Sequence, residues 1–174
     1  MTIGNRVKIQ NCISVYKGVI VEDDGLLGPH MVFTNDLDPR TLNDSNEMLS
    51  MLVNRGASIG ANATIVCGVV LGNFWIVGGG SYVMTTAVPD YTLVVGNPPR
   101  VIGYECECDK WLAVDYKSKK DGQVRCERCA KQFKIEASQL LAGTMQLKES
   151  HRLGTEWGVY ENNNRRANAR FTKR

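Results

Sequence analysis

The sequence predicts an all-β protein, a parallel β-helix solenoid followed by a small cysteine-bearing knob. Three observations lead there. Aliphatic residues recur every six positions through the front two thirds of the chain. Glycine stands at 17 while aromatic residues make up only 7%, which argues against a core of large rings. Four of the six cysteines fall in two tight pairs behind the repeat.

The hexad runs through Ile3, Ile9, Val15, Val21, Leu27 and Phe33, then breaks. It resumes, shifted by two, at Val53, Ile59, Ile65, Leu71, Val77 and Val83; Pro89 interrupts it, and Val95 and Val101 continue it. The position four after each aliphatic is mostly small or apolar, as at Val19, Met31, Ala57, Ala63 and Val69. A helix would show spacings of three and four, and a half-buried strand would alternate. A period of six, with Gly and Asn near the bends, means short strands joined by tight turns, because such residues tolerate positive φ. Three hexads make one triangular coil of 18 residues, so fourteen hexads give a little under five coils. The first coil, having none before it, is expected to expose apolar strand ends.

The break at residues 34–52 is the one long excursion. Asp44 or Ser45 is placed to cap a short helix carrying Met48, Leu49 and Leu52. Residues 1–103 are thus expected to be the solenoid with this excursion, 104–136 a four-cysteine segment and 137–174 a basic, partly disordered tail. Within the tail, ASQLLAG reads as a short helix ended by Gly143.

Composition narrows the function classes. At 174 residues, 43% hydrophobic and 22% charged, the chain holds one ordinary core plus an appendage. No apolar stretch is long enough to cross a bilayer, and the start MTIGNRVKIQ has no signal-peptide core, so the expectation is a cytoplasmic protein without membrane partners. The front 103 residues carry a net −2 and the remainder +5. In the back segment Lys117, Lys119, Lys120, Arg125 and Arg128 are interleaved with Glu105, Glu107, Asp109, Asp115, Asp121 and Glu127. That mixture argues against a face that tracks nucleic-acid phosphates.

Cys12 and Cys67 stand alone in apolar surroundings and read as small buried residues. Cys106-x-Cys108 and Cys126-x-x-Cys129, 17 residues apart, bracket two strands around Asp121-Gly122. Four thiolates suit one tetrahedral zinc with no open position, hence a structural metal in a zinc-ribbon-like knob, with iron or free thiols as the alternatives. Asp109 and Ala130 stand where a glycine often follows such a knuckle.

Longer stretches carry a resemblance. IGNRVKIQNCISVYKGVIVEDD, LGPHMVFTNDLDPR, RGASIGANATIVCGVVLG and VVGNPPRVIG resemble the hexapeptide-repeat acyltransferases, and among them the N-acetyltransferases of nucleotide-linked 3-amino sugars, over roughly residues 2–135. The resemblance implies a left-handed β-helix, a homotrimer, acetyl-CoA as co-substrate and a role in bacterial surface polysaccharide (lipopolysaccharide) biosynthesis. By that resemblance Ala57, Ala61, Gly79, Thr85 and the Asn97-Pro98-Pro99-Arg100 turn lie along CoA, with Arg100 on a phosphate. Gln10, Asn11, Tyr16 and Arg40 fall to the sugar nucleotide, and Asn35 and Asp36 to the reacting acceptor. Gly78, Gly79 and Gly80 are candidate N–H donors to an oxyanion, or simply bend glycines. His30 is a candidate general base, or a bend residue with no chemistry, since an amine nucleophile makes little demand for a base. His30 is the only histidine of the repeat, and with the distant His151 it cannot supply the three-histidine zinc site of the trimeric carbonic anhydrases that share the fold. The reading from another class is a non-catalytic β-helix scaffold or binding protein with a structural zinc ribbon.

Overall fold

The computed structural model describes residues 1–37, 39, 41, 49–84, 89–115 and 121–135 in full, and 136 and 139–142 as backbone. Met1–Gly143 form one compact unit. No helix occurs among the described residues. The solenoid strands are β1 (Thr2–Ile3), β2 (Lys8–Ile9), β3 (Val19–Val21), β4 (Leu26–Leu27), β5 (Val32–Phe33), β6 (Met51–Val53), β7 (Ser58–Ile59), β8 (Thr64–Ile65), β9 (Val70–Leu71), β10 (Ile76–Val77), β11 (Tyr82–Val83) and β12 (Thr92–Val95). Then follow β13 (Arg100–Glu105), β14 (Trp111–Leu112), β15 (Gly122–Arg125), β16 (Gln132–Glu136) and β17 (Gln139–Ala142).

The solenoid strands pair in parallel into three sides: β1-β3-β6-β9, β2-β4-β7-β10-β12 and β5-β8-β11. In the regular coils partners stand 18 residues apart, as in Leu52↔Val70, Ser58↔Ile76 and Thr64↔Tyr82, while Ile76↔Leu93 between β10 and β12 are 17 apart. The hexad aliphatics point inward, with Leu27, Val53, Ile59, Ile65, Leu71 and Val83 wholly buried, and the residues four later join them at Ala57 and Ala63. Trp75 occupies one of these small-residue slots and is fully buried, so the core does hold a large ring beside Phe33. In the first coil Ile3 and Ile9 are 37% and 44% exposed.

Positive φ marks the bends. The first bend row carries Arg6, Asp24, Gly56, Phe74 and Tyr91; the second carries Cys12, His30, Asn62 and Gly80; the third carries Gly18 and Gly68. Most of these residues are not glycine. The glycines that follow hexad aliphatics serve a different need. A Cβ at Gly60 would stand 2.5 Å from the Gly79 nitrogen, so its absence lets successive coils approach.

Four expectations are corrected. Val101 does not continue the repeat: β13 runs antiparallel to β12, with Val94 opposite Val101. Pro98 and Pro99 lack the N–H groups that another parallel coil needs, and the chain reverses there. Leu140 and Leu141 lie in a strand rather than a helix, because β17 pairs with β16 and tertiary pairing overrides local propensity. Leu52 likewise belongs to β6, held between β3 and β9; residues 42–48 of the expected helix lie outside the described residues. Cys12 is exposed, because it sits on a bend at φ 59°, whereas Cys67 is buried as expected.

Candidate functional site

The second bend row gathers much of the predicted site. His30 donates its backbone N–H to the Asn11 carbonyl (3.1 Å), Asn62 to Pro29 (3.1 Å) and Gly80 to Ala61 (2.8 Å). Each hydrogen bond joins one coil to the next, so Asn11, His30, Ala61 and Gly80 lie in one ascending line. Gly96 continues the line: its N–H donates to Ser81 Oγ at 3.0 Å and its carbonyl accepts from Tyr82 N–H at 3.1 Å. The turn Gly96–Pro99, with a cis Asn97–Pro98 peptide, therefore closes the top of the row.

Of the three candidate oxyanion donors, Gly78 gives its N–H to the Val94 carbonyl and Gly80 to Ala61, both at 2.8 Å. Those two hold the coils together. Gly79 is exposed and makes no backbone hydrogen bond through its N–H among the described residues. The His30 side chain is exposed beside this line, and so are Gln10 and Asn11. Asn97, Pro98 and Arg100 are exposed at the closing turn. Ala57 is buried in the core, and its side chain faces no surface.

Asn35 and Asp36 lie elsewhere. They follow β5 at its far end from His30, near the third bend. Thr34 Oγ1 accepts from Cys67 N–H at 2.9 Å there, and burial pushes the Cys67 thiol up, with the Asp36 charge adding to the shift. Tyr16, half exposed, lies between the second and third bends of the first coil, on the β5 side. One chain therefore splits the predicted acceptor residues between two edges of the prism. Arg40 and Thr85 lie outside the described residues.

The first bend row shows a pattern that sequence reasoning missed. Its lower half is a charge ladder, with Asp24 bonded to Arg6 (2.6 and 3.0 Å) and to Arg55 (3.2 Å). The guanidinium of Arg6, and then that of Arg55, hold the Asp24 carboxyl below its ordinary range. Beside the ladder is a groove of about 340 Å³ lined by Thr2, Gly4, Ile20, Glu22 and Arg55 among others. The upper half is aromatic. Phe74 stacks on Tyr91 at 5.3 Å, and Tyr91 meets Phe133 edge-on at 5.3 Å. Opposite charges 18 residues apart, Arg6 and Asp24, were the available signal.

Each cysteine pair sits at the tip of its own hairpin, rather than the two pairs sharing one. Cys106 and Cys108 lie between β13 and β14, and Cys126 and Cys129 between β15 and β16. Both tips are built alike. The residue after the second cysteine, Asp109 or Ala130, has positive φ and donates its N–H to the carbonyl of the first cysteine at 2.9 Å. The four Sγ atoms lie within 4.8 Å of one another, with Cys106–Cys129 and Cys108–Cys126 both at 3.5 Å. A tetrahedral ion with metal–sulfur bonds of about 2.3 Å needs sulfurs about 3.8 Å apart. The cluster fits one such ion. The backbone N–H groups of Cys129 and Arg128 lower the Cys126 thiol to about 6, whereas burial pushes Cys106 and Cys108 up.

No protein-family profile matches the chain. It is 45% identical over 83 residues to a dTDP-3-amino-3,6-dideoxy-alpha-D-galactopyranose 3-N-acetyltransferase from Aneurinibacillus thermoaerophilus, which is 48% of this chain and 40% of that protein. The chain thus spans less than half the length of the curated relative it matches. Among solved structures, a hexapeptide-repeat containing acetyltransferase from Vibrio cholerae has a TM-score of 0.50 at 26% identity, over 59% of this chain and 61% of that one. A maltose O-acetyltransferase from Clostridium difficile 630 has a TM-score of 0.49 at 21% identity, over 59% and 57%. The relatives are acetyltransferases, the class that the sequence motifs resemble.

Proposed function

We propose that this hexapeptide-repeat chain is an acetyl-CoA-dependent N-acetyltransferase of a nucleotide-linked 3-amino sugar, built on a left-handed β-helix. The observation that carries the reading is the 45% identity to a transferase of that substrate class. The unprotonated sugar amine attacks the thioester carbonyl, the C–N bond forms, and the C–S bond breaks to release CoA as thiol. The amine proton leaves through His30, exposed on the second bend row, or through water. Gly79 N–H is the donor best suited to the developing oxyanion. The pantetheine runs along Ala61, Gly79 and Gly80 towards the Gly96–Pro99 turn, and Arg100 meets a phosphate.

A homotrimer completes the site. Val32 is 48% exposed on the β5-β8-β11 side, and Leu37 and Met84, just beyond β5 and β11, are 54% and 55% exposed. An apolar face of this kind suits subunit packing. Association along it lets Asn35 and Asp36 of one copy approach the bend row of another. Cys106, Cys108, Cys126 and Cys129 would hold a structural zinc, which there would cross-link the two hairpins and leave the transfer reaction to other residues. Thiol pairs of this kind suit the reducing cytoplasm, where nucleotide sugars for surface polysaccharides are made.

The test is thiol release from acetyl-CoA, screened over dTDP- and UDP-linked 3-amino sugars. Release with one class of amine acceptor is expected. No release with any of them leaves the chain as a β-helix scaffold.

A further inference from the structure

We propose that the metal-bound knob is an end cap that locks the last coil and the Gly96–Pro99 turn, so that metal occupancy sets the order of the upper solenoid. The inference rests on the metal reading above and adds a mechanical role to it.

The β15-β16-β17 sheet pairs with no solenoid strand among the described residues. It is held to the rest by the cysteine cluster, by Phe133 and by a few side-chain bonds. Phe133 is 1% exposed and lies edge-on to Tyr91. Tyr91 belongs to the solenoid: its N–H donates to the Asn73 carbonyl one coil below, at 2.9 Å. The Tyr91 carbonyl accepts from Glu105 N–H, also at 2.9 Å. Its hydroxyl donates to Glu107 Oε1 at 2.9 Å. Glu107 stands between Cys106 and Cys108, and the same carboxylate pairs with Lys131, two residues past Cys129. One glutamate thus joins the solenoid tyrosine, the first cysteine tip and the second.

Strand order carries the lock further. Cys106 directly follows β13, which pairs with β12 from Thr92↔Tyr104 to Val95↔Arg100. The turn Gly96–Pro99 lies between those strands. With a metal on four thiolates both tips are fixed, and Phe133 and Lys131 stay seated. Without it the second tip is free to leave, Tyr91 loses its edge-on neighbour, and Leu112 and Tyr104, now buried, meet water.

The experiment is amide hydrogen exchange on the full chain, zinc-loaded and chelator-stripped under reducing conditions, with metal content measured on each sample. Stripping should speed exchange of residues 91–105 by about tenfold or more and leave β4 and β7 unchanged. Phe133→Ala tests the same path with the metal kept, and should speed exchange of residues 91–105 by about five- to tenfold at full zinc occupancy. A stripped protein with unchanged exchange in residues 91–105 overturns the cap while leaving the metal site intact. So does a zinc-loaded Phe133→Ala variant that exchanges like wild type. Protein that takes up no zinc with its thiols reduced overturns the metal reading, and the cap with it.

Discussion

The Tyr91 hydroxyl donates to Glu107 Oε1 at 2.9 Å, joining a bend of the fifth coil to the loop between two cysteines. Burial, and after it this hydrogen bond and the Glu107 charge, push the phenol far above the ordinary tyrosine range, so it stays a donor at any physiological pH. Tyr91→Phe keeps the stacking on Phe74 and loses the bond, and should cost about 0.5–1.5 kcal/mol in denaturant unfolding. Tyr91→Ala removes the ring as well and should cost about 3–5 kcal/mol. Equal stability of wild type and Tyr91→Phe would mean the hydroxyl bonds water as well as it bonds Glu107.

The two kinds of glycine separate by mutation. Gly60→Ala puts a Cβ 2.5 Å from the Gly79 nitrogen, against backbone that has nowhere to go. Gly80→Ala meets open space but sits at φ +69°, a cost of about 1–2 kcal/mol. Melting temperature should fall further for Gly60→Ala. The reverse order would show that neighbouring coils part easily.

Asp24 gives a pH test. Its folded carboxyl is held low by Arg6 and Arg55, so the native state favours the charged form. Its contribution is complete above the ordinary carboxyl pKa of about 3.9 and is lost as pH falls through the lowered value. Asp24→Asn should therefore melt below wild type at pH 7, with a gap that closes as the pH drops below about 4 and shrinks in high salt. A gap independent of pH would assign the loss to packing rather than charge.

Two kinetic outcomes follow from the proposed transfer reaction. Arg100→Ala should raise the acetyl-CoA KM by about tenfold and spare the acceptor KM, while Arg40→Ala should do the opposite. His30→Ala distinguishes base from bystander. Loss of the acidic limb of the kcat–pH profile is expected if His30 takes the amine proton, and an unchanged profile passes that task to water.

What the sequence made legible was whatever repeats. The inward direction of Ile59, Ile65 and Leu71 follows from the six-residue period alone, since a strand and a bend of fixed length return each aliphatic to the axis. The glycines were legible as residues but not in their role, because close approach of two backbones leaves no mark distinct from a bend. Trp75 broke the small-residue rule in a slot where the interior had room for it. The reversal at Val101 was hidden because a strand pairing antiparallel keeps the same apolar character as one pairing parallel. The four cysteines were legible as a set, and their partition into two hairpin tips was not, since spacing is blind to which strands pair. Nothing local in Phe133 points to Tyr91; that meeting exists only after the chain has turned back on itself.

The 18-residue offset that recurs between paired strands, as in Leu52↔Val70, Ser58↔Ile76 and Thr64↔Tyr82, gives the scaffold a graduation. Each coil advances the axis by about 4.8 Å, the spacing of neighbouring strands. His30 and Gly80 are separated by two such steps, through Asn62, so their distance is a whole-number multiple and cannot be adjusted finely by insertion. Duplicating residues 52–69 would add one graduation and keep every inward side chain inward. Any insertion that is not a whole coil has to leave the prism, and β3 and β6 stay paired although Val19 and Met51 are 32 residues apart. Reach along the edge is thus inherited by counting, like marks on a ruler, while chemistry is varied at the bends.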